Sequence, residues 1–246
     1  MPTFDELVPI ADESAFIFVG TIVRTGASPM PGHPASHSSV VVSVADVIKA
    51  PAGMRLDGQE VTVSLHQHLD PGRYVFFADP VAVGTGLAVK ERAHLDGSER
   101  DAAAQALERA YVEKMARRLE AAALVALGTE GDFRPLFPPA ERRGRVAWAL
   151  ARFELERVLK GKGRGHVTLV GPVPASKRLP RAPALRPGRR AILILQRPPE
   201  GALPHIPAED RQAVFFIADV LDIQPPDRLE TLERMVRGPE KEDRHA

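Results

Sequence analysis

The chain has 246 residues, of which 44% are hydrophobic and 26% charged, and its formal net charge is +1. These proportions are those of an ordinary globular protein, and no apolar run approaches the roughly 20 residues of a membrane-spanning helix. The absence of cysteine excludes disulfides, thiol catalysis and thiolate metal sites. The N-terminal residues show no secretory signal pattern, so we expect a cytoplasmic location.

The first half of the chain predicts a short helix, five strands and a longer helix. Thr3 and Glu6 form a capping-box pattern that starts the short helix. Gly20 interrupts the first strand and predicts a bulge or a sharp bend there. Apolar residues recur every four positions from Ala103 to Leu119, which indicates an amphipathic helix. The predicted strands lie at 16–24, 40–49, 60–65, 73–78 and 87–95.

The second half predicts five more strands and a final helix. Asp227 to Glu230 has the pattern of a helix start, and Leu229, Leu232 and Val236 then fall on one face. The predicted strands lie at 122–129, 145–159, 166–171, 189–196 and 213–223.

The two halves repeat each other in order, which indicates a duplicated domain. We predict two domains, residues 1–120 and 121–246. A kinked first strand can pair on both sides of a small barrel. The predicted fold class is therefore mainly β with α, as two tandem five-stranded OB-like barrels, each followed by a helix; a pair of β-sandwiches is the alternative. The matching segments are 16–21 with 124–129, 44–49 with 155–160, 61–63 with 167–169, and 71–73 with 187–189.

Several of these stretches together resemble the netrin-like domain, from the OB-fold group that contains the tissue inhibitors of metalloproteinases. The resemblance implies the fold. Those inhibitors place an N-terminal cysteine on the target zinc and staple the domain with disulfides, and because this chain has no cysteine, protease inhibition is not implied. The stretches are 15–23, 42–49, 60–63 and 71–77, with weaker copies at 123–129, 151–160, 166–169 and 187–194.

Positive charge is concentrated in residues 141–190, which carry 14 Lys and Arg against 3 Asp and Glu. Such a density on an OB-like face suits phosphate binding. Base stacking needs aromatic side chains, however, and only Trp148 and Phe153 occur in this stretch. The predicted binding residues are Arg142, Arg143, Arg145, Lys160, Lys162, Arg164, Lys177, Arg178 and Arg181.

Histidines are concentrated in the first half, which contains five of the eight. If the third strand continued past residue 65, His66 and His68 would point to the same face, with Asp70 just beyond. Imidazoles and a carboxylate can hold zinc or nickel. His66, His68 and Asp70 are thus the metal candidates, and the alternative is a set of exposed loop histidines with no common target.

The chain carries no sequence signature of a known enzyme class. Gly-x-Ser-x-Gly, the P-loop and His-Glu-x-x-His are all missing, so we predict no catalytic residues and no cofactor. The predicted function is non-catalytic binding or scaffolding, with a protein partner contacted mainly through the second copy. The alternatives are single-stranded nucleic-acid binding by the basic face of the second copy, and a metal-dependent activity around the first-copy histidines.

Overall fold

The chain folds mainly as β-structure with a few helices, in two compact units, Met1–Glu113 and Lys114–Ala246. The computed structural model describes residues 2–27, 38–83, 86–136, 148–172, 186–198, 206–208, 213–217 and 219–238. Among the helices within these ranges, none combines the length and the hydropathy that crossing a membrane requires.

The first unit is a closed five-stranded barrel preceded by helix α1 (Phe4–Glu13). The strands follow the order β1-β2-β3-β5-β4, with β3 and β5 parallel and the other pairs antiparallel. Since β1 pairs with both β2 and β4, the sheet has no free edge, as predicted for this half. The strands are β1 (Phe16–Thr25), β2 (Ser39–Lys49), β3 (Glu60–Ser64), β4 (Arg73–Val83) and β5 (Leu87–Asp96).

Alternate residues of β1 pack into two different apolar clusters, one inside the barrel and one outside it. Phe16 and Phe18 are buried inside the barrel with residues of all the other strands. Ile17 and Val19 point outward, where they pack with apolar residues of α1 and of helix α2 (Arg100–Ala121). This period-two division explains why β1 reads as a nearly continuous apolar run.

Gly20 lies where the pairing of β1 with β2 shifts register, which confirms the predicted bulge. A Cβ atom at this position would lie 2.8 Å from the backbone oxygen of Ser43. Glycine is therefore needed for the close approach of the two backbones.

The second unit has an open six-stranded sheet, in the order β10-β8-β7-β6-β9-β11. Its pairings repeat those of the barrel, because β6 pairs with β7 and β9, and β8 and β10 are parallel. In the first unit a ladder joins β4 to β5; among the described residues of the second unit, the bridge between Gln196 and Phe216 is its one counterpart. The second closed barrel is thus not confirmed. The elements are β6 (Leu124–Pro135), β7 (Trp148–Lys160), β8 (His166–Pro172), β9 (Arg190–Leu195), β10 (Val214–Phe216), β11 (Ile223–Gln224) and helix α3 (Leu229–Arg237).

The strand predicted at 213–223 is interrupted by a 3-10 turn at Val220–Asp222. The carboxylate of Asp219 accepts a hydrogen bond from the Leu221 amide at 2.9 Å, and Asp222 accepts one from the Asp219 amide at 2.8 Å. These side-chain acceptors offer the backbone a partner other than the strand ladder, so a turn forms.

The same capping turn ends the last strand of the first unit. Asp96 accepts from the Ser98 amide at 2.9 Å, and Glu99 accepts from the Asp96 amide at 3.1 Å. Asp96 and Glu99 thus match Asp219 and Asp222. The sequence comparison missed this part of the repeat because the intervening residues differ.

A lysine at the end of the second strand of each unit binds the end of a preceding helix. The Lys49 ammonium donates to the backbone oxygens of Ala11 and Asp12 in the last turn of α1, both at 2.8 Å. The Lys160 ammonium donates to two last-turn carbonyls of α2, at 2.6 and 2.7 Å. The repeated unit therefore includes the helix before its first strand, and the end of α2 corresponds to α1.

We expect Lys160→Met to lower the free energy of unfolding of the second unit by about 1–2 kcal/mol, because two helix-end carbonyls lose a charged donor. Urea denaturation followed by the fluorescence of Trp148, the only tryptophan, measures the change. Lys162→Met is the matched control, since Lys162 is exposed two residues further on. Equal effects of the two substitutions would refute the capping role.

Candidate functional site

Three of the nine predicted binding residues lie in the described part of the chain. Lys162 and Arg164 are exposed in the turn between β7 and β8. The ammonium of Lys160 is instead bonded to the carbonyls of α2. The residues that lie outside the described ranges are Arg142, Arg143, Arg145, Lys177, Arg178 and Arg181.

Many arginines of the basic stretch are paired with carboxylates. The hydrogen bonds from Arg190 and Thr129 lower the pKa of the Glu156 carboxyl, and the bond to Glu156 raises the pKa of Arg190. The described part of the stretch therefore presents less uncompensated positive charge than its composition indicates. The ion pairs are Arg152 with Glu154, Arg157 with Glu233, Arg189 with Glu130, and Arg190 with Glu156.

The two aromatic side chains in the basic stretch pack within the second unit. Phe153 is fully buried in its core. Trp148 is half-buried and stacks on Phe216, with ring centroids 5.7 Å apart and an interplanar angle of 30°. Phe153 is therefore enclosed by the core, and part of the Trp148 ring is already covered by Phe216.

A pocket of about 280 Å³ lies on β6, β7 and β8 of the second unit. Its lining includes the side chains of Arg134, Arg152, His166 and Thr168 around Leu150. Leu150 is buried on the side of the sheet opposite the main core, in a small separate apolar cluster. The pocket thus combines an apolar floor with polar and charged walls.

In the first unit, the position that corresponds to Arg152 is apolar. Arg152 pairs across strands with Thr168, and the repeat matches this pair to Val41 and Thr62. Arg152 is exposed, whereas Val41 and Thr62 are fully buried. The copies therefore share the strand pairing here and differ in what they present to solvent.

The predicted metal ligands are not brought together. β3 ends at Ser64, so His66 and His68 do not lie on a strand and do not share a strand face. The Nε2 atom of His68 lies 4.0 Å from Asp70 Oδ1, and both side chains are exposed. Within the described ranges, no group of three His, Asp or Glu side chains is placed to hold a metal ion.

His66 instead lies beside a buried carboxylate that sequence reasoning missed. Glu91 is 2% exposed, and one of its oxygens accepts the His66 amide at 2.9 Å. The other oxygen is bonded to Nδ1 of His94. His66, Glu91 and His94 line a pocket of about 270 Å³.

A β-bulge brings Glu91 and His94 to the same side of β5. Residues three apart on a regular strand point to opposite faces. Glu91 pairs with Ala78, whereas Ala93 pairs with Phe77, so one extra residue, Arg92, is inserted. One sequence signal could have identified Glu91. Leu87, Val89 and Glu91 alternate along the strand, so Glu91 falls on the same face as two core residues.

Two other carboxylates in the described residues, Glu130 and Asp222, are also buried. Glu130 is bonded to Arg189, and Asp222 is bonded to Arg118. A guanidinium keeps its charge at all ordinary pH values, whereas an imidazole can act as donor or acceptor. Glu91 is thus distinguished by a partner that can take part in ligand binding or proton transfer.

No protein-family model matches the chain, and no curated protein sequence matches it either. We base the functional proposals on the fold and on the two pockets.

Proposed function

We propose that the chain is a non-catalytic binding or scaffolding protein built from two OB-like modules, and that it contacts a protein partner mainly through the second. The closed five-stranded barrel of the first unit supports this proposal. The second unit repeats its pairings, and within the described residues one bridge stands where the first unit has the closing ladder. The resemblance to the netrin-like domain stays a prediction.

The observation that carries the proposal is the pocket on β6, β7 and β8. Arg134 and Arg152 line it beside the apolar Leu150, and carboxylates stand close by, with Asp132 in the lining and Glu154 paired to Arg152. Protein interfaces combine an apolar centre with a polar rim and are enriched in arginine. A phosphate backbone is bound instead by clustered positive charge without such compensation.

Site-specific photo-crosslinking tests this assignment. A photoreactive residue replaces Arg134 in the pocket or, as the matched control, Arg190, which is exposed on the same sheet outside the pocket. We expect one protein to crosslink at position 134 and not at 190. Its affinity for the purified chain should fall by about tenfold or more in Arg152→Glu and stay unchanged in Arg190→Glu.

Fluorescence anisotropy with a labelled oligodeoxythymidine distinguishes the protein-binding proposal from single-stranded nucleic-acid binding. We expect no saturable binding at about 50 mM salt. Saturable binding that weakens steeply by about 200 mM salt would favour the alternative function. Identical crosslinking at positions 134 and 190 would refute the pocket as the contact surface.

A further inference from the structure

We propose that the pocket beside Glu91 and His94 in the first unit binds a small neutral ligand through an O–H or N–H group, with His94 Nε2 as the hydrogen-bond acceptor. The described residues that line this pocket all belong to the first unit. The inference is therefore independent of the proposed protein-binding surface.

The Glu91 carboxylate sets the role of each nitrogen of His94. When the carboxylate is ionised and the imidazole is neutral, Nδ1 donates to Glu91 and Nε2 keeps its lone pair. The ring is held further by Tyr74, which packs edge-on with centroids 5.7 Å apart. In that neutral form the nitrogen not bonded to Glu91 is an acceptor, and the ring that carries it lines the pocket.

Glu91 is itself held in place. Its second oxygen accepts the His66 amide at 2.9 Å, just after the end of β3. The bulge at Arg92 fixes the backbone between Glu91 and His94. Glu91 is thus a positioning residue, and His94 is the residue that contacts the ligand.

The charges around the pocket favour a neutral ligand over an anion. Arg92 is the only Arg or Lys among the described lining residues. Its guanidinium is already bonded to Asp79 and Glu13. The buried negative charge of Glu91 also repels an anion, because Coulomb interactions strengthen away from water.

A metal ion is disfavoured by the donor set. Within the described residues no three His, Asp or Glu side chains are placed to hold one, and Glu91 Oε1 is already bonded to His94. The volume of about 270 Å³ lies near the lower end of ligand pockets, so a ligand of one ring fits.

Phenol and anisole are the matched probes, because they have the same ring and only phenol has a donor. Titration of the full chain at about pH 8, where histidine is ordinarily neutral, is followed by ¹⁵N NMR of the imidazole nitrogens. We expect the Nδ1–H tautomer for His94 and a saturable shift of Nε2 with phenol. Anisole should bind about tenfold more weakly, equivalent to one lost hydrogen bond.

Three variants locate the contact. His94→Phe keeps a ring and removes Nε2, so phenol should lose its advantage over anisole. Glu91→Gln should weaken phenol binding and redistribute the tautomers of His94, a readout that a purely structural role would not move. His68→Gln is the control, because His68 is exposed and does not line the pocket.

Equal binding of phenol and anisole to the wild-type chain would overturn the proposal, and so would an Nε2–H tautomer. Both readouts use the unaltered protein, so they stay decisive if a variant fails to fold. Tighter binding of benzoate than of phenol would also overturn it, since that identifies an anion site. Persistence of the phenol advantage in His94→Phe would exclude His94 as the contact.

Discussion

Replacing Arg118 with methionine is expected to lower the free energy of unfolding of the second unit by about 3–5 kcal/mol. The Nε and Nη2 atoms of Arg118 each donate to Asp222 at 2.7 Å, and the Asp222 side chain is fully buried. The hydrogen bond to Asp222 raises the pKa of Arg118, which keeps the guanidinium charged. Removing it takes both guanidinium hydrogen bonds from a buried carboxylate.

Chemical denaturation followed by Trp148 fluorescence measures this effect. Arg237→Met is the control, because Arg237 is exposed and its pair with Glu233 should be worth less than about 1 kcal/mol. Adding Asp222→Asn to Arg118→Met should recover part of the loss, because the buried charge is gone while the side chain keeps its shape. A loss no larger than that of Arg237→Met, or no recovery in the double variant, would contradict the assignment.

The barrel of the first unit was predictable from local patterns. Its five strands are long enough to show β-branched residues and alternation, and Gly20 marks the bulge in β1. The end of the second unit was not, because β10 has three residues and the capping by Asp219 and Asp222 ends the apolar run. Apolar periodicity does not detect side-chain acceptors that compete with a ladder.

The candidate sites were less accessible to sequence reasoning. Glu91 and His94 meet through a bulge, and the position of an inserted residue depends on the partner strand. The ion pairing of the basic stretch was hidden from the sequence for a related reason, because the counter-charges include residues far along the chain. Arg157, for example, pairs with Glu233, 76 positions away.

The ion pair between Arg157 and Glu233 has a counterpart in the first unit, in which the positive and negative residues have changed places. Arg157 corresponds to Asp46, which is bonded to Arg100 at the start of α2. In the second unit the strand carries the cation, Arg157, and helix α3 carries the anion, Glu233. In each unit an ion pair therefore joins a helix to a strand of the same unit. Because the charges are exchanged, α3 against the strand of the first unit would place Glu233 beside Asp46, and α2 against the strand of the second would place Arg100 beside Arg157.

Gly128→Ala is expected to destabilise the second unit by about 3 kcal/mol or more, because the added methyl group has no space. Its Cβ would lie 2.1 Å from the backbone oxygen of Glu154 and 2.8 Å from a ring carbon of Phe153. A backbone oxygen cannot move aside as a flexible side chain can, so β6 and β7 must separate. Gly128 is the counterpart of Gly20, and the register of β6 against β7 shifts there as well.

Gly131→Ala is the matched control on the same strand, with its nearest contact at 3.2 Å from the Arg152 oxygen. We expect it to cost less than about 1 kcal/mol, since a small adjustment relieves the contact. Denaturation curves of both variants, read from Trp148, give the comparison. Equal costs would show that β6 and β7 adjust freely at Gly128, and the recurrence of glycine at this point of both units would then need a reason other than backbone approach.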